Sequence, residues 1–448
     1  ITLLQPQNGR PNRWITKIEL TLDNGFSTTL DLTDESKTAP GQTFSFPSQT
    51  FHEATLKIVG DNVGHQYIYQ TASSVGLANV TFGPQTPRVT EYIRLPTDLL
   101  TEAGRASQKN PLALVLTRER INQYNALRTD PEPFLVRTWT LPTKRSFAFT
   151  GTAHLDQQAP PAVVDATLGI PDASHGGVTV TEQRHLTGAA SQRATAAIDA
   201  DAGTWWTTGF QSSVGEWAQY QSADELTFDH LDLAVVTDER HSIPTRVKVT
   251  VDGKSVQVRV PKLTQSSKPG SVTEVRVDLP EMMSGSKVRL TITGEREQLT
   301  RDWYSDSPVA MPVSIAEWGV PGLKVTAPDA DAKLPGGCRS DYARLDDEAV
   351  DLRIDGTVGD ALAGKDLTVR QCGTDADSGV AMDAGRHDLL TTAGIVAGFD
   401  IDQLVLRSAA GGAADHSTGP MVARADTVGP KVTVNDQSRT SFDLTVTG

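Results

Sequence analysis

Ala194-Thr195-Ala196-Ala197-Ile198-Asp199-Ala200-Asp201-Ala202-Gly203-Thr204-Trp205-Trp206-Thr207-Thr208-Gly209, followed by Val214-Gly215-Glu216-Trp217, is the stretch on which the reading of this chain turns. Two acids, a glycine and a threonine form one turn-rich segment directly ahead of two tryptophans. A β-rich run follows, and Ser314-Ile315-Ala316-Glu317-Trp318-Gly319-Val320 closes it.

Period-two alternation dominates outward from there. Arg246-Val247-Lys248-Val249-Thr250-Val251 and Lys254-Ser255-Val256-Gln257-Val258-Arg259-Val260 flank Asp252-Gly253, whose residues suit the positive φ of a primed hairpin turn. Lys287–Thr293 alternates in the same way, and Arg145–Leu155 reads as a further strand. Helical periodicity is scarce, with one short candidate at Asp98–Ala103, stopped by Gly104. The expected fold class is all-β: tandem β-sandwich or jelly-roll domains.

Three units are expected in the 448 residues, at 1–138, 139–322 and 323–425. Residues 426–448 would start a further β domain. The first unit holds Trp14–Leu22, the turn Asp23-Asn24-Gly25 and Ala54–Val59; the Pro-rich Asp130-Pro131-Glu132-Pro133 marks its exit. Strand Arg145–Leu155 fits either the second unit or the third, the latter if the middle module is inserted into it. The opening Ile1 and the strand-like ending Thr440–Gly448 are those expected of a piece of a longer protein.

The net charge of -14 gives no electrostatic reason to bind nucleic acid or an anionic membrane, while a neutral glycan is indifferent to it. The two cysteines, Cys338 and Cys372, are expected to form one disulfide, because no CxxC metal spacing competes; two free thiols are the alternative. A disulfide implies an exported protein. Catalytic signatures are missing: no Gly-x-Ser-x-Gly, His-Glu-x-x-His or P-loop. Asp346 and Asp347 are adjacent, which on a strand sends them to opposite faces and spoils a glycosidase pair. The histidines are scattered and expected at the surface.

The segment 194–217 with Glu317 resembles the discoidin-type (coagulation factor type C) β-sandwiches, a class that includes many carbohydrate-binding modules. The wider order is similar to the extracytoplasmic part of the membrane arabinofuranosyltransferases of mycobacteria and corynebacteria, of the branching type. It comprises Val75–Val80, Glu91–Leu100, Asn110–Arg118, Asp130–Pro133, the discoidin-like unit, Leu334–Cys338 and Gly398–Leu406. The resemblance implies a non-catalytic region, on the periplasmic side, attached to a membrane-spanning parent transferase. It implies binding of arabinan or arabinogalactan-type cell-wall glycan.

The resemblance also implies a structural Ca2+ held by Asp199, Asp201, Thr204 and Glu317. Calcium wants six to eight hard oxygens, and a tight Asp-x-Asp-x-x-Thr turn supplies several. The alternative is an ordinary acidic turn whose Asp side chains cap backbone N–H groups. For the sugar, Trp303 and Tyr304 in a polar loop are candidate stacking faces, with Arg301 and Asp306 as hydrogen-bonding groups and Arg240 and His241 completing the rim. Trp206 and Trp217 are expected in the core. Two other roles remain open: a structural spacer or docking region without sugar binding, and accessory modules of a secreted glycoside hydrolase.

Overall fold

The computed structural model describes residues 1–6, 13–38, 40–62, 75–83, 92–120, 132–302, 306–417, 431–438 and 441–447. The fold is all-β, built from several sheets that are antiparallel except where Ile93–Arg94 pairs in parallel with Val136–Leu141, with a few short helices. Among the described residues no helix is long and apolar enough to cross a membrane.

The N-terminal part packs two three-stranded sheets. One has Ile15–Leu22 between Ser27–Asp31 and Ala54–Asp61; the other has Thr2–Leu4 between Gln42–Thr43 and Asn79–Thr81. Alternation in Ile15–Leu22 buries Ile15, Ile18, Leu20 and Leu22 in a core of their own, together with Leu3 and Leu30.

A ten-stranded sheet forms the second body. At its centre Arg145–Leu155 pairs with Leu367–Gln371 on one side and Phe399–Ser408 on the other. Leu112–Thr117 and Val136–Leu141 join the same sheet, through Phe399–Ser408 and Gly385–Thr391 respectively. These pairings cross the sequence-drawn limits at 138/139 and 322/323, and Val136–Leu141 itself spans the first of them. The strand Arg145–Leu155 pairs as the insertion alternative required, with residues 156–338 lying between its end and the next strand of the sheet.

A seven-stranded sheet occupies that insertion, in the order Trp206–Thr207, Ser314–Glu317, Trp217–Val236, Val272–Arg296, Ile243–Val251, Lys254–Arg259, with Val178–Glu182 added to Trp217–Val236. Trp217–Val236 and Val272–Arg296 run 20 and 25 residues. Their register shifts between Gln221 and Leu226 and again between Phe228 and His230. Such irregularities bend a strand and raise its twist, which lets these two serve both layers of the module. Trp206, Tyr220, Val235, Leu290 and Trp318 are buried between those layers. The expected hairpin forms in register Val251↔Lys254, and Asp252 and Gly253 take φ of 44° and 92°.

Asp346 and Asp347 are not on a strand. They form the turn between Arg339–Leu345 and Glu348–Asp355, both at positive φ, a conformation Asp tolerates better than most residues. The histidines are not all at the surface either. His154, His185 and His387 are buried, and each is paired with a carboxylate. Cys338 and Cys372 are disulfide-bonded, tying the entry of the strand Arg339–Leu345 to the exit of Leu367–Gln371. Lys431–Gln437 and Phe442–Thr447 form a separate two-stranded ribbon.

Candidate functional site: an acidic turn and the loops beside it

The acidic turn is held from below before it is shaped from within. The Arg193 guanidinium pairs with buried Asp165 at 2.7 Å, and Thr195 Oγ1 donates to the other oxygen of that carboxylate. Glu182 accepts from the Ala194 N–H, and Tyr220 donates its hydroxyl to the Ala194 carbonyl. The amides of Trp318 and Val325 donate to the Ala197 and Ile198 carbonyls. These contacts fix the backbone on which Asp199 stands.

Within the turn, Asp199 Oδ1 accepts from the Asp201 amide at 3.0 Å, and its carboxylate accepts from Thr204 Oγ1 at 2.8 Å. Asp201 Oδ1 accepts from the Gly203 amide at 2.8 Å. Ala200 between them sits at φ 62°, strained for a residue with a Cβ. Both carboxylates therefore do what an ordinary acidic turn requires of them.

Glu317 does something more. It reaches the turn from the strand Ser314–Glu317, which is locked at Ile315 against Trp206. Its Oε1 is buried and has no hydrogen-bond partner. Burial, then the Asp199 charge, push its carboxyl up to about 7, against the pull of the Ala200 and Asp201 amides. Burial also raises Asp199, with Thr204 pulling the other way. An orphaned buried carboxylate oxygen with the charge of a second carboxylate nearby is a surrounding that a hard cation would relieve.

The fit is incomplete on side chains alone. Among the described residues no group of three or more His, Cys, Asp or Glu is placed to hold a metal ion. Asp199 and Thr204 are hydrogen-bonded to each other, Glu317 feels the charges of Asp199 and Asp201, and one Asp201 oxygen is taken up by Gly203. A calcium here would need backbone carbonyls and water beside these side chains.

Of the predicted sugar-binding residues, Arg240 and His241 lie in the turn before the strand Ile243–Val251, and Arg301 and Asp306 lie on and beside the strand Leu299–Arg301. Asp238 is buried and accepts from the amides of Arg240 and Gly270, and from His241 Nδ1 at 2.5 Å. Burial raises its carboxyl, but the Gly270 amide and the His241 ring outweigh that and hold it below its ordinary value. His241 is thus tied down, while Arg240 is exposed. Gly270 also packs toward Trp205, so the loop of Arg240 meets the acidic turn's neighbour.

Ser242 joins this loop to the next. Its hydroxyl donates to the Met311 carbonyl at 2.5 Å and accepts from the Gln298 amide. There, Leu299–Arg301 pairs with Pro308–Ala310, and Arg301 donates two hydrogen bonds from one nitrogen to Asp306 at 2.9 and 3.0 Å. Both side chains are about three-quarters exposed, at 75% and 77%. Trp303 and Tyr304, the candidate stacking faces, lie outside the described residues.

Trp206 is buried as expected, 6.0 Å from Trp318. Trp217 is not a core residue: it is half-buried on the outer face, with the Arg289 guanidinium 4.1 Å from its ring centroid. The signal was present in the alternation Trp217-Ala218-Gln219-Tyr220-Gln221, which puts Trp217 with the two glutamines and opposite Tyr220.

No family model matches the chain, and no curated protein matches it. Solved structures do. "Arabinofuranosyltransferase AftD from Mycobacteria" aligns over 92% of this chain and 31% of its own, at 19% identity and a TM-score of 0.54. The R1389S mutant of AftD aligns over 94% and 32%, at 18% identity and a TM-score of 0.57. These likenesses show a shared fold, and the chain spans about a third of the length of the transferase it matches. A family 32 carbohydrate-binding module from C. perfringens NanJ, solved with galactose, aligns over 31% of this chain and 90% of its own, at 15% identity; its TM-score of 0.21 is too low to argue from.

Proposed function

We propose that this chain is a non-catalytic, carbohydrate-binding region of a cell-wall arabinofuranosyltransferase, and that it presents arabinan or arabinogalactan-type acceptor to a membrane-embedded catalytic part of the same parent. The observation that carries the reading is the fold likeness to an arabinofuranosyltransferase over nearly the whole chain, matching only about a third of that enzyme. The region would then lie outside the cytoplasm. The middle module is read as discoidin-like, and a structural Ca2+ on Asp199, Thr204 and Glu317 would brace the loops that carry Arg240 and Arg301. Several weak sites on linked modules gain from effective concentration.

Electrophoresis through a gel loaded with arabinogalactan tests this. The chain should be retarded, and Arg240→Ala and Arg301→Ala should each reduce the retardation while leaving the melting temperature in place. Equal mobility with and without the polymer would refute the reading. The spacer alternative draws on the pairing of Arg301 with Asp306 and of His241 with Asp238, which satisfies groups that a sugar would otherwise engage.

A further inference from the structure

The half-buried Trp217 belongs to a second feature, away from the loops just described. A groove of about 830 Å³ runs across the outer face of the seven-stranded sheet, from the Val214–Gly215 loop to the Asp252–Gly253 turn. The strand Ile243–Val251 leads from the Arg240–His241 loop at one end to this turn at the other.

Register places its floor. One row across the sheet is Trp217, Thr291, Lys248; the next is Gln219, Arg289, Thr250, Ser255. Short hydroxyls and an amide thus lie in the middle, with cations among and beside them. Arg289 is fixed on two sides: its plane lies over the Trp217 ring, and its Nε donates to Gln219 Oε1 at 3.0 Å. A guanidinium held this way is pre-organised for an oxyanion.

The charges in the groove do not cancel. Lys248, Lys287 and Arg289 make no ion pair among the described residues. The one carboxylate that lines it, Asp252, accepts from the amides of Ser286 and Lys287. In a chain of net charge -14, three free cations around hydroxyls form a local site of opposite sign.

We infer that this groove binds an acidic oligosaccharide, with carboxylates set against Arg289, Lys248 and Lys287 and ring hydroxyls on the Thr250, Thr291 and Gln219 side chains. The site is distinct from the loop site of the proposed neutral-glycan function and does not depend on it.

The test is calorimetric titration of the whole chain at low salt with short oligogalacturonates, beside the same oligomers methyl-esterified so that the rings are kept and the charge removed. The charged oligomer should bind about tenfold or more tightly than the ester, and Lys248→Gln/Lys287→Gln should weaken it by about tenfold with no change in melting temperature. Arg240→Ala should leave this affinity unchanged. No binding of the charged oligomer, equal binding of the ester, or unaltered affinity in the double variant would overturn the inference. Equal affinity for polyglutamate would overturn the assignment to a saccharide.

Discussion

Arg118 and Asp402, 284 residues apart in sequence, meet in the interior of the ten-stranded sheet, with Nη2 donating to Oδ1 at 2.8 Å. Arg118 is 1% exposed at its side chain. The same carboxylate accepts from Arg120 at 3.2 Å and pairs with His154 Nδ1 at 2.7 Å, while Asp400 stands 3.6 Å from Arg118. The cluster ties strands from both sides of the inserted module. Arg118→Ala would leave Asp400 and Asp402 together in a poorly solvated site. Removing one partner of a buried pair costs about 3–5 kcal/mol, and chemical denaturation should show a loss in that range.

The pH dependence of the same cluster has a definite sign. Burial first, and then the Asp156 charge, raise Asp400 from 3.8 to about 6. A raised carboxyl binds its proton more tightly folded than unfolded, so its contribution to stability falls as pH rises from about 4 to about 6. Asp402 is held below its ordinary value despite burial, by His154 and Arg118, and acts oppositely at lower pH. Asp400→Asn keeps an acceptor for the Gly394 amide and removes the titration. The stability of the wild type minus that of the variant should decline between pH 4 and 6; a flat difference would contradict the assignment.

The bond between Cys338 and Cys372 closes a loop of 34 residues. By the loop-entropy relation its loss costs about 4 kcal/mol. Cys338→Ser/Cys372→Ser should therefore lower the denaturation midpoint, and reduction of the native chain under the same conditions should lower it comparably.

Calcium is tested through stability. A ligand at about one hundred times its dissociation constant adds about 2.7 kcal/mol to a fold that it alone recognises. The melting temperature should rise from EDTA to excess calcium, and Glu317→Gln should abolish most of the rise. Identical melting in both conditions would leave the acidic turn as a self-capped loop.

Much of this architecture is legible in alternation. Arg246–Val260 declares its hairpin because Asp252-Gly253 fits only a narrow set of turns, and Asp98–Ala103 declares its end at Gly104. What alternation does not specify is partnership. Nothing local in Arg145–Leu155 says that it pairs with Phe399–Ser408, because that register depends on which apolar faces the whole chain can bury together. The resemblance gathers Asp199, Asp201, Thr204 and Glu317, but the orphaned oxygen of Glu317 follows from how its strand is buried, which no local pattern states. One arginine in an alternating strand reads as solvated, and only the cross-strand register brings Arg289 over Trp217.

Titration with purified arabinofuranose oligomers in the presence of calcium tests most directly the proposed recognition of arabinose-containing glycan. Saturable binding is expected, weakened by Arg240→Ala and insensitive to Lys248→Gln/Lys287→Gln. No heat of binding with any arabinofuranose oligomer would contradict it.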